Sequence, residues 1–205
     1  MKQFLFFIVF GFLVCSSCQQ NKRPLLGETP FQKSLNATFK DASTSPLKKK
    51  DRQNFEGLDF FEVDSSYIVQ ATLKHTPDSE FFNMPTTTGE SRQERIFGVL
   101  HFKLNNKTYQ LNVYESKALL NDPNYTDYLF LPFSDLTNGE STYAGGRYIE
   151  LKVPNKTKAQ TITIDFNTAF NPYCAYNDTY SCPIVPRDNT LNTKILAGVK
   201  AYNKH

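Results

Sequence analysis

The stretch that decides the fold is IFGVLHFKLNNKTYQLNV, residues 96–113. Apolar residues recur on both sides of a central Asn105-Asn106 pair, and each side has the length of a β-strand. Asparagine tolerates the positive φ angles that tight turns require. The stretch therefore predicts a hairpin of two antiparallel strands, 96–104 and 108–113.

Working outward, the same period of two residues covers 67–74, and further strands are predicted at 128–133, 147–153 and 161–166. Residues 190–202 fit a helical stripe and a strand equally well, but Gly198 disfavours a helix and favours the strand. A helix is predicted from Ser45 to Gly57, with Ser45 as its cap, and a weaker one over 31–39. With 18 Phe, 11 Tyr and no Trp, the chain is expected to be mainly β. We expect a single antiparallel β-sandwich or partly open barrel with one or two short N-terminal helices.

The first 17 residues predict a lipoprotein signal peptide. The apolar run 4–14 is too short to span a membrane as a helix. Ser16-Ser17 followed by Cys18 resembles a lipobox, in which the cysteine is lipidated, whereas Cys15 lacks the small residue before it. We therefore expect Cys18 to anchor the protein to a membrane of the bacterial cell envelope.

On this interpretation, residues 18–30 are the lipidated cysteine and a flexible tether, and residues 31–205 form a single β-rich domain. Removing residues 1–17, which hold one Lys and no acid, lowers the formal charge from +3 to +2. So small a charge gives no reason to expect a nucleic-acid partner.

Two polar segments interrupt the strands and hold the candidate site residues. The segment 131–151 contains Asp135, Arg147 and Tyr148, and the segment 165–186 contains Asp165, Asn167, Asn171 and two cysteines. The planar fork of Arg147 can bind a carboxylate or phosphate of a ligand. An internal ion pair with Asp165 or Asp135 is the favoured alternative.

The segments LFLPFSDLTNGESTYAGGRYIEL (129–151) and DFNTAFNPYCAYNDTYSCPIVPRDNTL (165–191) resemble a family of unknown function, DUF1684. The resemblance extends from about residue 41 to the C-terminus, and it brings no activity, substrate or catalytic residue. The chain departs from the family pattern at Val199, where the resemblance implies an acidic residue. The residues on the family motif are Asp135, Thr137, Thr142, Gly146, Arg147, Tyr148, Asp165, Asn167, Asn171, Pro172, Cys174 and Cys182.

Cys174 and Cys182 are separated by seven residues, and an envelope location is oxidising. They are expected to form a structural disulfide. The spacing is not the C-x-x-C of redox enzymes. No histidine lies in the motifs and the Asp and Asn residues do not follow a calcium-loop pattern, so no metal site and no cofactor are expected.

Two functions stay open on these residues. The first is an envelope lipoprotein that binds a small molecule or a protein, or supports a complex, with a polar centre of Arg147, Tyr148, Asp165, Asn167 and Asn171. The alternative is an envelope hydrolase in which Asp135, Arg147 and Asp165 are the working groups. Whether the protein is an enzyme is therefore undecided by its sequence.

Overall fold

The computed structural model describes residues 27–202. This part of the chain forms two α-helices, α1 (Pro30–Lys40) and α2 (Lys49–Gln53). It also forms the strands β1 (Ile68–His75), β2 (Phe82–Pro85), β3 (Ser91–Leu104), β4 (Lys107–Ser116), β5 (Tyr128–Asp135), β6 (Arg147–Lys152), β7 (Thr161–Asp165) and β8 (Thr190–Leu191). The predicted signal peptide, the predicted lipidation site Cys18 and most of the predicted tether lie outside the described residues.

The strands form one curled sheet in the order β6-β5-β4-β3-β1-β7, with β2 on β3 and β8 on β5. Apart from the short parallel β5–β8 pair, the neighbours are antiparallel. The sheet curls into a half-barrel whose edge strands are β6 and β7, which confirms the prediction of a mainly β, partly open barrel. Within residues 27–202, neither helix is long and apolar enough to cross a membrane.

The predicted hairpin is the β3–β4 pair, whose turn lies at Asn105 and Asn106. Their φ angles are +50° and +62°, and Leu104 pairs directly with Lys107 across the turn. Both strands are longer than predicted, since β3 begins at Ser91 and β4 ends at Ser116.

A β-bulge at Phe97 gives β3 two buried faces. Ile96 pairs with Tyr114 and Gly98 pairs with Val113, so Phe97 is an extra residue in the ladder. From Gly98 onward the even-numbered residues face the main core, which contains Leu100, Phe102 and Leu104. Before the bulge the even-numbered residues face the opposite side, where Ile96 packs near Tyr114. One bulge therefore redirects the first part of the strand to a second environment.

The main core fills the inside of the half-barrel with residues from nearly every strand. A second cluster joins α1 to the C-terminal segment through Phe39, Tyr176 and Val199. A third, smaller cluster lies on the other side of β4, β5 and β6, and consists of Met84, Tyr114, Phe130 and Tyr148 with partly buried neighbours. This third cluster forms the floor of the candidate site.

The helices differ from the prediction. The helix that was predicted more weakly, over 31–39, is α1, the longer of the two helices. Thr29 and Gln32 stabilise its start through a reciprocal capping box. The predicted helix 45–57 is wrong beyond the five residues of α2. Its expected cap, Ser45, instead donates its hydroxyl to the carbonyl of Phe39 at 2.6 Å, which fixes an extended entry to the segment.

The predicted C-terminal strand is also mostly wrong. Only Thr190 and Leu191 form a strand, β8. The rest of the segment is irregular but buried at Ile195, Ala197 and Val199. Gly198 has a φ of +79°, and a Cβ there would lie 2.5 Å from the carbonyl oxygen of Ala169, so the chain passes too closely for any side chain.

Candidate functional site

Arg147 lies at the start of β6 and is fully buried, as is the Asp135 side chain with which it pairs. Arg147 Nη2 donates to Asp135 Oδ2 at 2.7 Å, and neither side chain has exposed surface. The guanidinium also donates to the carbonyls of Ala197 at 2.5 Å and Ile195 at 2.9 Å. Of the two internal partners predicted for Arg147, the structure therefore selects Asp135. The pair ties the C-terminal segment to β5 and β6.

The second carboxylate oxygen of Asp135 also accepts hydrogen bonds from the protein. Its Oδ1 accepts hydrogen bonds from the backbone and side chain of Thr137, at 2.8 and 2.6 Å, and from the Ile195 amide at 3.3 Å. Desolvation lowers the pKa of Arg147, and the charge of Asp135 opposes that shift. The Arg147–Asp135 pair therefore connects parts of the fold, and neither carboxylate oxygen of Asp135 is free to face a cavity.

Asp165 and Asn167 bind each other and the entry to β1. Asp165 Oδ1 accepts from the Asn167 amide at 2.9 Å and from its Nδ2 at 2.8 Å. Asn167 in turn exchanges two hydrogen bonds with the backbone of Asp64, both at 3.0 Å. Asp165 also lines a 390 Å³ cavity between the edge strands β6 and β7.

Asn171 is buried against the C-terminal segment. Its Nδ2 donates to the Lys200 carbonyl at 2.9 Å and to the Tyr176 hydroxyl at 3.3 Å. The structure thus uses three of the predicted polar residues, Asp165, Asn167 and Asn171, to satisfy backbone or buried groups.

A cavity of 730 Å³ lies over the third hydrophobic cluster. Six aromatic side chains line it, from β5, β6 and the loops after β7, and we call it the aromatic cleft. Four charged side chains also line it, with the Lys117–Leu119 turn and the Ser181–Pro183 segment at its sides. The aromatic and charged lining residues are Tyr128, Phe130, Tyr148, Phe170, Tyr173, Tyr180, Arg92, Glu94, Lys117 and Glu150.

The rings of the aromatic cleft pack against one another. Tyr148 meets Phe130 edge to face at a centroid distance of 4.8 Å and Phe170 at 6.0 Å. Its hydroxyl donates to the carbonyl of Pro183, which fixes the ring. Desolvation raises the pKa of the Tyr128 and Tyr148 hydroxyls, so both rings stay uncharged at neutral pH.

Glu94 is the one acid of the aromatic cleft that is buried. It is 3% exposed, and its Oε2 has no hydrogen-bond partner. Burial raises the pKa of its carboxyl group, while a hydrogen bond from Ser116 and the nearby charge of Arg92 oppose the shift. An isolated buried carboxylate of this kind is costly unless a partner compensates it.

Glu115, one strand away, is equally buried but fully compensated. Arg95 lies 2.5 Å and Lys156 2.7 Å from its carboxylate. Glu94 forms none of the ion pairs found within residues 27–202. Of these two neighbouring buried acids, Glu115 is therefore compensated by two cations, and Glu94 forms an ion pair with no described residue.

The two cysteines are free thiols in the structure, so the predicted disulfide is not present in it. They are nevertheless close, because the Cys174 amide donates to Cys182 Sγ at 3.2 Å. A hydrogen bond from the Cys182 thiol lowers the pKa of Cys174 to about 6, and the same interaction raises that of Cys182. Cys182 also lines the aromatic cleft.

Of the predicted binding residues, only Tyr148 lines the aromatic cleft. The sequence prediction missed Glu94 because the predicted strand began at Ile96, five residues after the start of β3 at Ser91. The available signal was a charged residue two positions before the partly buried Ile96. Across residues 27–202, no three His, Cys, Asp or Glu side chains form a group suited to a metal.

The family described as "Protein of unknown function (DUF1684)" matches residues 53–200. The fold is similar to a solution NMR structure of an uncharacterised protein from Haloarcula marismortui, with 33% identity and a TM-score of 0.66. The similarity covers 82% of this chain and 89% of that one. No curated protein matches the chain.

Proposed function

This chain belongs to the DUF1684 family, and we propose that it is a binding protein whose small-molecule ligand occupies the aromatic cleft. The observation that carries the proposal is Glu94, which lines the cleft, is 3% exposed and has an unpartnered carboxylate oxygen. This oxygen has less than 1 Å² of exposed surface, so a ligand would reach it once the Glu94 side chain turns toward the cleft. The ligand would then compensate a group that the protein leaves unsatisfied.

The size and lining of the cleft support the same function. Its 730 Å³ lies within the range of small-molecule sites, and such sites combine apolar and aromatic walls with a few polar groups. The walls come from the sheet and from loops fixed to it, as the bond from Tyr148 to Pro183 illustrates. A ligand would therefore enter a preformed site.

The hydrolase hypothesis based on Asp135, Arg147 and Asp165 receives less support. Asp135 and Arg147 form a fully buried ion pair, and Arg147 also binds the C-terminal segment. Asp165 caps the short helical turn that follows β7. Catalytic groups need access to a substrate. We therefore favour binding over hydrolysis.

Anchoring in a bacterial cell envelope through lipidated Cys18 is part of the proposal and rests on the N-terminal sequence. In that oxidising setting the neighbouring Cys174 and Cys182 would form a disulfide. The bond would join the loop that carries Tyr173 to the segment that carries Pro183, and so fix one wall of the cleft.

The experiment is a binding titration of the full ¹⁵N-labelled chain, followed by the amide resonances of the protein. Three probes of one size and different charge are used: 2-phenylethylamine, 2-phenylethanol and 3-phenylpropanoate. At least one probe is expected to shift resonances of the cleft residues in a saturable way. No saturable shift with any of the three, or shifts scattered over the surface, would overturn the proposed function.

A pair of tryptophan variants locates the site. Ala118 is exposed at the rim of the cleft and Ala144 is exposed outside it. We expect Ala118→Trp to weaken probe binding about tenfold by filling the entrance, and Ala144→Trp to leave it unchanged. Equal effects of the two variants would place the binding elsewhere.

A further inference from the structure

We propose that the ligand of the aromatic cleft is an organic cation, whose ammonium or amidinium group meets the carboxylate of Glu94. This inference rests on the proposed function and narrows it to one chemical class. It follows from three features of the cleft: an unpaired buried acid, a wall of uncharged rings, and basic residues confined to the rim.

The first feature is the buried acid of the cleft, which forms no ion pair with a described cationic side chain. Glu94 is buried and unpaired, whereas its neighbour Glu115 is matched by two cations. A hydroxyl group of a neutral ligand would supply a hydrogen bond but no charge. A cation supplies both, and it favours the ionised form of the carboxyl group, which burial disfavours.

The second feature is the wall around the acid. Six aromatic rings line the cleft, and the faces of Tyr and Phe attract cations when both are removed from water. The tyrosine hydroxyls stay neutral because burial raises the pKa of Tyr128 and Tyr148. The wall therefore favours a positively charged group over a negatively charged one.

The third feature is the position of the basic side chains. Arg92 and Lys117 line the cleft but are exposed, so water already solvates their charges and they have little need of an anion. Arg92 is close enough to oppose the pKa shift of Glu94 but forms no ion pair with it. The basic side chains that line the cleft are therefore exposed at its rim, and none of them lies beside the buried carboxylate as an ion-pair partner.

The test compares the dissociation constants of the three probes on the same full chain. We expect 2-phenylethylamine to bind about tenfold more tightly than 2-phenylethanol, since a bond to a charged group is the stronger one, and 3-phenylpropanoate to bind most weakly. If the alcohol or the anion binds as tightly as the amine, the inference is wrong. Saturable binding of the alcohol in the cleft would still uphold the proposed function.

Glu94→Gln and Glu150→Gln are the matched variants. Glu150 is an acid of the same length in the same cleft, and desolvation raises the pKa of its carboxyl group as it does for Glu94. The Glu150 residue is nevertheless exposed, and its carboxylate accepts a hydrogen bond from the Tyr128 hydroxyl at 3.5 Å. We expect Glu94→Gln to remove the preference for the amine and to change the affinity for the alcohol less than about twofold, and Glu150→Gln to weaken amine binding less than about threefold. A preference that survives Glu94→Gln would contradict the inference. If that variant does not fold, the wild-type ratio of amine to alcohol alone decides.

Discussion

At the scale of single residues, the same polar side-chain types perform two kinds of work in this protein. Arg147 and Asp135 neutralise each other inside the fold and bind the backbone around them. Glu94 has no such partner. Incomplete hydrogen bonding does not by itself separate the two kinds of group, since Arg147 Nε and Asn171 Oδ1 are also buried without a partner. Glu94 differs because it lines a cavity and forms no ion pair with a described residue, and that is a property of three-dimensional neighbours.

Replacing Arg147 by Met should strongly destabilise the protein. The change leaves the Asp135 carboxylate buried without its counter-charge, and removing one member of a buried pair typically costs about 3–5 kcal/mol. The measurement is the free energy of unfolding in urea.

Lys194→Met is the control for this prediction. Lys194 pairs with Glu140 at 2.7 Å, but both side chains are at least half exposed, at 50% and 63%. Its loss should cost at most about 1 kcal/mol. Equal effects of the two variants would show that burial does not govern the Arg147 pair.

Cys174 should react with iodoacetamide at lower pH than an ordinary thiol. Its pKa is lowered to about 6 by the Cys182 thiol, so the thiolate fraction rises as pH increases through 6 and is nearly complete at pH 8. The rate of alkylation, followed by mass spectrometry on the reduced protein, should level off between these values.

The variant Cys182→Ala removes the donor and should move the pH midpoint of Cys174 alkylation upward, toward that of a free cysteine near 8.5. A midpoint that is already near 8.5 in the wild-type protein would refute the assigned interaction. Ser replacement is less suitable as a control because its hydroxyl can still donate.

At the scale of elements, the β3–β4 hairpin could be predicted because its determinants are local. Apolar spacing and two asparagines lie within one short stretch, and the asparagines adopt the expected positive φ. The C-terminal segment could not be predicted, since Ile195, Ala197 and Val199 are buried by distant partners without joining a strand. The cleft could not be predicted for the same reason, because its lining residues lie on strands and loops that are far apart in the chain.

Asn106→Val should destabilise the hairpin by about 1–2 kcal/mol, because a β-branched residue is strained at a φ of +62°. Asn106→Gly should be neutral or slightly stabilising. Lys107→Val, one position later and in an extended strand, should change the free energy of unfolding by less than about 0.5 kcal/mol. Thermal or urea unfolding measures all three, and a harmless Asn106→Val would contradict the assigned turn.

At the scale of the whole molecule, one curled sheet separates two environments. Its inner side holds the main core, and the opposite side of β4, β5 and β6 carries the aromatic cleft. Stability and the proposed binding therefore draw on opposite faces of the same strands. This separation predicts that cleft variants such as Ala118→Trp, at an exposed lining residue, alter binding with little effect on unfolding.

Cys18→Ser should release the protein from the membrane fraction of a bacterial host and abolish incorporation of a labelled fatty acid. The expected cause is loss of the thiol to which the lipid is attached. Cys15→Ser is the matched control and should retain both label and membrane association. Label that persists in Cys18→Ser and disappears in Cys15→Ser would reassign the anchor.

The bulge at Phe97 also bears on how related sequences should be aligned. Because Ile96 and Gly98 occupy consecutive ladder positions, a relative lacking one residue here would keep its equivalent of Glu94 in the cleft. An insertion between Glu94 and Ile96 would instead turn that acid to the other face. An alignment of relatives therefore has to place its gap at the bulge before it identifies the position that corresponds to Glu94.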